Sequence, residues 1–510
     1  MKSLLWHELV TTALVGTQRQ AVKLTSADNQ LAEVLSRLDK NDKEGSLLSA
    51  AGAIALYQKA GKLTLADDRQ LLPESCEPEE LPVCSLSAGQ YLAQILNGER
   101  ANLLPEWLSV ATVAKKLAPP RYLSELLTVA QKQRNLRTAI LPVLGKRGLW
   151  LAAQNPDWNY LLSENAVISC QNDNFKAIKL LLAKYREKDP NEALEQLKAT
   201  WKKESAEERA SLLQALEINL NINDEPFLEA ALDDRRKQVR NIAAKLLVKL
   251  PKSRLVQRMI ARVRPLLQLN GNRVQVTLPQ KCSQDMTRDG IDESVYSAAL
   301  GEKAGWLLQM VSYVPPSLWC DTWGKTPKQI VQAIDGSEWE KLLLEGWAIA
   351  STTSQDIAWA EVLLAVSGKF GHGYLLKVEQ QIENLLKVLP SDRALAVILQ
   401  TLLQYQNKLL NSQHPALAML TVSPYPWTEE ISKVVLSSIR RVLEQNQQQN
   451  DWSLRSLFGD FARYMDPSVV YQADVDLRSV LKPESYGREF VEEFLATLLF
   501  RFDMREALKR

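Results

Sequence analysis

The sequence has few histidines and cysteines and no excess of charge of either sign. Its 510 residues include three histidines and five cysteines, and 62 basic side chains stand against 60 acidic ones. This near-neutral balance predicts no global attraction to nucleic acid or to a membrane, although a local cluster could still attract either. The cysteines are odd in number and scattered, with no CxxC pair, which is typical of a reducing compartment.

Long apolar runs are also missing. No window approaches the roughly 20 apolar residues that a membrane span needs. His7 and Glu8 interrupt the stretch in which a signal peptide would need unbroken apolar residues. We therefore expect a cytoplasmic protein.

The motifs of the common catalytic and metal sites are absent as well. HExxH, P-loop and GxSxG strings do not occur, and the histidines lie in no triad pattern. The glycine-rich string at 368–373 follows a helical pattern, whereas a phosphate-binding loop follows a strand, so we interpret it as a turn between helices. Cys76 and Cys84 lack the further ligands that a structural zinc site needs. We expect no enzymatic activity, no cofactor and no metal.

Apolar residues instead recur at helical spacing almost everywhere, and prolines separate the helices. The clearest unit is 206–250, where an Asp-rich turn, a Val-Arg step and an Ala-x-x-Leu-Leu helix form the pattern of a HEAT repeat, with Asp233 and Asp234 as the predicted cap. Looser versions occur at 173–185 and 392–403. The third helix of the clearest unit carries one continuous apolar stripe of Val239, Ile242, Ala243, Leu246, Leu247 and Leu250.

One segment breaks the helical periodicity. In 266–278, Asn270-Gly271 is a type I′ turn dipeptide, and Val274, Val276 and Leu278 alternate with polar residues, which predicts a β-hairpin. The predicted fold is all-α, a HEAT-like α-solenoid of stacked helix pairs with this one small inserted hairpin. The predicted regions are an N-terminal helical region (1–72), a Pro/Glu-rich linker or loop (73–87), HEAT-like repeats (88–265), the hairpin insertion (266–290) and a C-terminal helical region (291–510).

Tryptophan is concentrated in one part of the chain. Such a cluster could form a platform for stacked bases, but large aromatic side chains also fill the wedge between stacked helices, and we favour the wedge. The clustered residues are Trp306, Trp319, Trp323, Trp339, Trp347 and Trp359.

The charge distribution has one anomaly, a run of basic residues that contains no acid. Like charges at helical i, i+4 spacing, as at Arg254, Arg258 and Arg262, destabilise a helix, so acids of neighbouring helices or an anionic partner should compensate them. Both alternatives remain open, and the partner could be nucleic acid or an acidic protein face. The candidate anionic-partner surface consists of Arg235, Arg236, Lys237, Arg240, Lys245, Lys249, Lys252, Arg254, Arg258, Arg262 and Arg264.

Three parts of the sequence resemble a family of bacterial HEAT-like helical proteins defined as a domain of unknown function. They are LPVLGKRGLWLAAQNPDW (141–158), ALDDRRKQVRNIAAKLL (231–247), and a third part with DMTRDGI (285–291), LGEKAGW (300–306) and VPPSLW (314–319). The resemblance implies a non-enzymatic protein, often encoded beside MoxR-type AAA+ ATPases, von Willebrand factor A-domain (VWA) proteins and SWIM zinc-finger proteins. It carries over no catalytic residues. We therefore expect a scaffold or adaptor for partner proteins, with a nucleic-acid-binding HEAT-like protein as the alternative.

Overall fold

Helical periodicity in the sequence corresponds to helices in the computed structural model of the protein. Helix makes up 70% of the chain and strand 3%. The predicted all-helical class is therefore confirmed, and so is the small hairpin. Among the described residues, no helix combines the length and the apolar character needed to cross a membrane. The structure describes residues 2–21, 29–39, 41–60, 73–161, 182–201, 203–294, 300–371, 373–411, 413–445, 452–481 and 488–510.

The first twelve α-helices are α1 (Lys2–Val15), α2 (Asn29–Ser36), α3 (Lys43–Ala60), α4 (Leu86–Leu96), α5 (Leu104–Val113), α6 (Leu123–Lys132), α7 (Arg137–Gln154), α8 (Pro190–Thr200), α9 (Ala206–Ala215), α10 (Glu225–Ala231), α11 (Lys237–Val248) and α12 (Arg254–Val263). Strands β1 (Leu267–Asn270) and β2 (Arg273–Val276) follow.

The remaining helices are α13 (Gln284–Arg288), α14 (Glu302–Ser312), α15 (Ser317–Trp323), α16 (Pro327–Ala333), α17 (Glu340–Ser354), α18 (Ile357–Ala365), α19 (Val378–Val388), α20 (Ser391–Gln404), α21 (Pro415–Val422), α22 (Glu429–Gln445), α23 (Trp452–Tyr464), α24 (Val470–Val480) and α25 (Arg488–Lys509). Residues 182–188, before α8, are also helical. The predicted repeat at 392–403 lies in α20, whereas 173–181 of the other looser repeat lie outside the described residues.

The chain divides into two compact units, Met1–Ser75 and Cys76–Arg510. In the first unit, α1, α2 and α3 bury a small apolar core. Its members are Leu9, Leu31, Leu35, Ala50 and Ile54.

In the second unit, the helices from α16 to α25 alternate between two layers. Helices α14, α17, α19, α21, α23 and α25 contact one another in that order, and α16, α18, α20, α22 and α24 do so beside them. Each of these helices therefore packs against the helix that follows it in its own layer, as amphipathic helices must to cover their apolar faces. Their buried side chains belong to one continuous core that runs from Leu182 to Leu498.

A second core brings together parts of the chain that lie far apart in sequence. Helices α4 and α5 contact α25, and Phe500, Met504 and Leu508 of α25 are buried among apolar side chains of α4 to α7. The Ser85 hydroxyl, just before α4, donates a hydrogen bond of 2.7 Å to the carbonyl oxygen of Ala507. The first helices of the second unit therefore pack against its final described helix.

The predicted hairpin is confirmed, but its predicted turn is wrong by one residue. Asn270 pairs with Arg273, so the two loop residues are Gly271 and Asn272. A type I′ turn needs positive φ at both loop residues, whereas a type II′ turn needs glycine at the first. Gly271 has φ +59°, and Asn272 does not have positive φ. The dihedral angles therefore fit the type II′ pattern.

The predicted apolar stripe is buried except at Ile242, which is partly buried, and its last member, Leu250, lies two residues beyond α11. The predicted cap is wrong. The N-cap residue of α11 is Arg236, with no hydrogen bond from a capping side chain. Asp234 instead forms an ion pair with Arg209 at 3.1 Å, and Asp233 forms one with Arg288 at 2.6 Å. Each aspartate faces an arginine of another segment. Asp234 also accepts a hydrogen bond of 2.9 Å from the backbone N–H of Arg236, the residue at the N-cap, but neither aspartate occupies the N-cap position itself.

Candidate functional site

The basic run begins just before α11, and its three regularly spaced arginines lie on α12. Acids of α10 face two of them at the same spacing. The Arg254 guanidinium forms an ion pair of 3.4 Å with Glu225, which also accepts the Arg254 backbone N–H at 2.5 Å. The Arg258 guanidinium donates hydrogen bonds of 3.1 and 3.2 Å to Glu229. The like charges of α12 are therefore compensated within the chain at these two positions.

Asp289 compensates the third arginine and shares the second. Its side chain is 1% exposed, and it accepts hydrogen bonds of 2.9 and 2.6 Å from Arg258 and one of 2.6 Å from Arg262. Arg288 lies beside it and donates to Asp233, which lowers the pKa of that carboxyl. Three arginines and three acids thus form a neutral network between α10, α12 and the end of α13.

The DMTRDGI string contains two members of this network, Arg288 and Asp289, and the glycine that follows them. Gly290 has φ +93°, and a Cβ there would lie 2.7 Å from the Cβ of Ala244. The Tyr313 hydroxyl donates a hydrogen bond of 3.3 Å to the Gly290 carbonyl oxygen, and burial raises the pKa of Tyr313 to about 12. Arg288, Asp289 and Gly290 therefore fix this segment between α11, α12 and α14.

Three further basic residues of the run also have partners. Lys237 forms an ion pair with Asp292 at 2.8 Å, which lowers the pKa of that carboxyl. Lys249 forms an ion pair with Glu217, and the Arg240 guanidinium donates to the carbonyl oxygens that precede α11.

The other five basic side chains are exposed and have no acidic partner among the residues that the structure describes. These are Arg235, Arg236, Lys245, Lys252 and Arg264. The structure therefore separates the predicted surface into a paired set, centred on α12, and this unpaired set.

Part of the pairing could have been found in the sequence. Glu225, Glu229 and Asp233 repeat at i, i+4 and i+8, as do the arginines of α12, and two complementary ladders at equal spacing predict neighbouring helices. Asp289 could not have been assigned in this way because it follows the hairpin and lies in a different segment.

Comparison with known families assigns the chain to one of them. A model described as a family of unknown function (DUF5691) matches residues 8–508. The chain belongs to this family. No curated protein and no solved structure matches it at a significant level. The DUF5691 match spans both compact units and includes all three strings that showed the resemblance.

A second buried charge cluster of this DUF5691 chain joins α25 to α5 through ion pairs. Arg501 is 1% exposed, and its guanidinium donates hydrogen bonds of 2.5 and 3.0 Å to Glu106 and two more to the carbonyl oxygens of Ala462 and Met465. Arg505 donates to the same carboxylate at 2.7 Å. A buried charge needs such complete pairing, so this cluster fixes where α25 lies. Sequence reasoning missed it.

The LPVLGKRGLW string forms a third charged contact. Gly145 interrupts α7 with φ 64° and ψ −172°. The backbone N–H groups of Lys146 and Arg147 each donate a hydrogen bond of 2.8 Å to the Glu79 carboxylate. Lys146 also forms ion pairs with Glu77 at 3.0 Å and Glu80 at 2.9 Å. The acidic residues of the Pro/Glu-rich segment therefore bind at the break in α7.

The glycine-rich segment and the clustered tryptophans all contact the main apolar core. Where the glycine-rich string ends, the buried Glu345 carboxylate accepts backbone N–H groups of Tyr374, Leu375 and Leu376 at 2.7, 2.6 and 3.1 Å. The segment lies between α18 and α19, as predicted for a turn between helices; His372 itself lies outside the described residues. Trp319 and Trp347 are fully buried, which supports the wedge interpretation.

Proposed function

We propose that this chain is a HEAT-like α-solenoid that acts as a non-enzymatic scaffold or adaptor for partner proteins. The observation that carries the proposal is the two-layer packing from α14 to α25, in which each helix contacts the next of its layer. Arrays of this kind offer extended surfaces, and their stability depends on neighbouring helices and not on one central site. This makes them suited to holding other proteins.

The resemblance suggests which partners to test first. They are MoxR-type AAA+ ATPases, VWA-domain proteins and SWIM zinc-finger proteins in the cytoplasm. Affinity purification from the native host, with and without nuclease, tests the proposal. The scaffold proposal expects the same proteins to co-purify under both conditions. Complete loss of co-purifying proteins after nuclease treatment would contradict it.

A second candidate function is nucleic-acid binding, favoured by the five basic side chains without acidic partners. Each phosphate neutralised lowers the slope of log affinity against log salt by about 0.9 on B-DNA. Replacing Arg235, Arg236, Lys245, Lys252 and Arg264 with glutamine should then flatten this slope by up to about 4.5 units. A parent protein that binds no DNA or RNA at low salt would rule this function out.

A further inference from the structure

Among the described residues, one side of helix α24 lacks the neighbour that every preceding helix of its layer has. Helices α16, α18, α20 and α22 are each followed by the next helix of that layer. Asp476 of α24 faces α22, where it pairs with Arg440 at 3.8 Å. Tyr471 and Val475 lie about 100–140° around the helix from Asp476. They therefore point away from α22. A further helix of this layer would pack on this side of α24.

The other layer continues at this point, because α25 packs between α24 and α4. On one side, the Phe502 ring contacts the Tyr471 ring edge-on, with centroids 5.5 Å apart. On the other, the Phe500 ring contacts Tyr91 of α4, with centroids 4.9 Å apart. On the solvent side of α25, between these two contacts, helical geometry places Leu499 and Asp503. The result is a face formed by α25, with α24 on one side and α4 on the other.

The α25 and α24 parts of this face carry apolar side chains that are open to solvent. Tyr471 is 64% exposed, Val475 69% and Leu499 42%, and Phe502 is half-buried beside them. The end of a helical array normally carries a polar outer face, because exposed apolar side chains favour association. We call the four residues Tyr471, Val475, Leu499 and Phe502 the seam face.

The charge beside the seam face is negative. Asp503 lies one turn beyond Leu499 and has no ion pair among the described residues. The neighbouring acids are already occupied, since Glu492 pairs with Arg478 at 2.5 Å and Glu506 pairs with Lys509 at 2.6 Å. A ligand that covers the apolar residues therefore meets one uncompensated carboxylate.

We propose that the seam face binds one amphipathic helix of a partner protein, in the position of the missing helix of the α24 layer. The apolar side of that helix covers Val475 and Leu499, and a lysine or arginine on its border pairs with Asp503. An amphipathic helix presents apolar anchors at i, i+3, i+4 and i+7, which suits an exposed apolar face shared by two neighbouring helices. This site rests on the proposed scaffold function and specifies the kind of partner.

Fluorescence anisotropy with a labelled peptide tests the site directly. The probe is an 18-residue helical peptide of leucine, alanine and lysine, with leucines at i, i+3, i+4 and i+7, and a second peptide carries glutamate in place of lysine. Val475→Glu should weaken binding of the lysine peptide at least about tenfold, because the leucines of the peptide would have to desolvate a carboxylate at the centre of the apolar contact. The matched control is Val113→Glu, at a valine of α5 that is 82% exposed.

Two further variants keep the test independent of folding. Val475→Ser should weaken binding in the same direction with an unchanged circular dichroism melt. Asp503→Asn should weaken the lysine peptide severalfold and leave the glutamate peptide equal or tighter. Equal effects of Val475→Glu and Val113→Glu, or no preference between the two peptides, would overturn the proposal.

Sedimentation and the host pull-down separate the remaining outcomes. Dimerisation of the parent that Val475→Glu abolishes would assign the seam face to a second copy of this chain and overturn the partner-helix proposal. Partners that co-purify equally with the parent and with Val475→Glu would contradict this site while leaving the scaffold function standing. A parent that retains no protein partner would contradict the scaffold function itself.

Discussion

Replacing Asp289 with asparagine tests whether one buried carboxylate holds α10, α12 and the end of α13 together. The substitution keeps the shape of the side chain and removes its charge. Arg262 then loses its acidic partner, and Arg258 keeps only Glu229. The asparagine amide also places two donors where the carboxylate offered only acceptors.

The expected cost follows from the exposure of the partners. Removing one member of a buried ion pair costs about 3–5 kcal/mol. The Asp289 side chain is 1% exposed, but those of Arg258 and Arg262 are 32% and 22% exposed, so both guanidinium groups can regain water. We therefore expect a loss near the lower limit, about 3 kcal/mol.

The measurement must be local, because a chain of this size with two compact units does not satisfy two-state unfolding. Hydrogen exchange of peptides covering 225–291 reports the opening free energy of this region. The matched control is Asp292→Asn, since Asp292 pairs with the exposed Lys237 and such a pair contributes about 0–1 kcal/mol. If Asp289→Asn and Asp292→Asn agree within about 0.5 kcal/mol, the network does not carry the stability assigned to it.

Three other changes have defined outcomes. Leu246→Ala opens a cavity in α11 and should lower stability by about 2–5 kcal/mol, seen as early exchange within 206–250 and not elsewhere. Gly145→Ala places a Cβ against the Glu79 carboxylate at a backbone conformation that suits glycine, so it should lower the free energy of unfolding by about 1–3 kcal/mol. The control Gly459→Ala places a Cβ where it meets no atom and should leave stability unchanged. Burial lowers the pKa of His414 below 6.5, so the unfolded chain takes up the proton at a higher pH than the folded chain does. The melting temperature should therefore fall as the pH drops below about 6.5. His414→Asn keeps a side-chain cap for α21 and should remove this pH dependence.

Much of the fold could be predicted because it depends on local periodicity. The stripe from Val239 to Leu250 specified the buried face of α11, and alternation at Val274 and Val276 specified a strand. The turn assignment was wrong because Asn270 and Gly271 favour a type I′ loop locally, while pairing of Asn270 with Arg273 moves the loop by one residue. Register depends on both strands and not on the dipeptide alone.

The candidate site was predictable only in part. A run of basic residues is visible in the sequence, but its meaning depends on which acids lie opposite. For Arg254 and Arg258 the acids are Glu225 and Glu229, each 29 residues earlier in the chain. Because the two acids and the two arginines have the same spacing, these pairs could have been recognised in the sequence. Neither Asp289 nor the cluster of Glu106 and Arg501 had a local pattern, because each joins segments whose contact is set by tertiary packing. The seam face was not predictable either, since apolar residues at Tyr471 and Val475 look the same in sequence as a buried stripe.

The contact between α25 and α5 has a consequence for how the chain folds. Glu106 and Arg501 are separated by 395 residues, and closing a loop of that length costs on the order of 5 kcal/mol of chain entropy. This contact is too costly to belong to an early nucleus, whereas neighbouring helices such as α11 and α12 meet across a few residues. During synthesis, the apolar face of α4 and α5 waits for a helix made almost 400 residues later. Helices α4 to α7 can pack against one another before then, but the part of their surface that α25 covers stays exposed until α25 has been made.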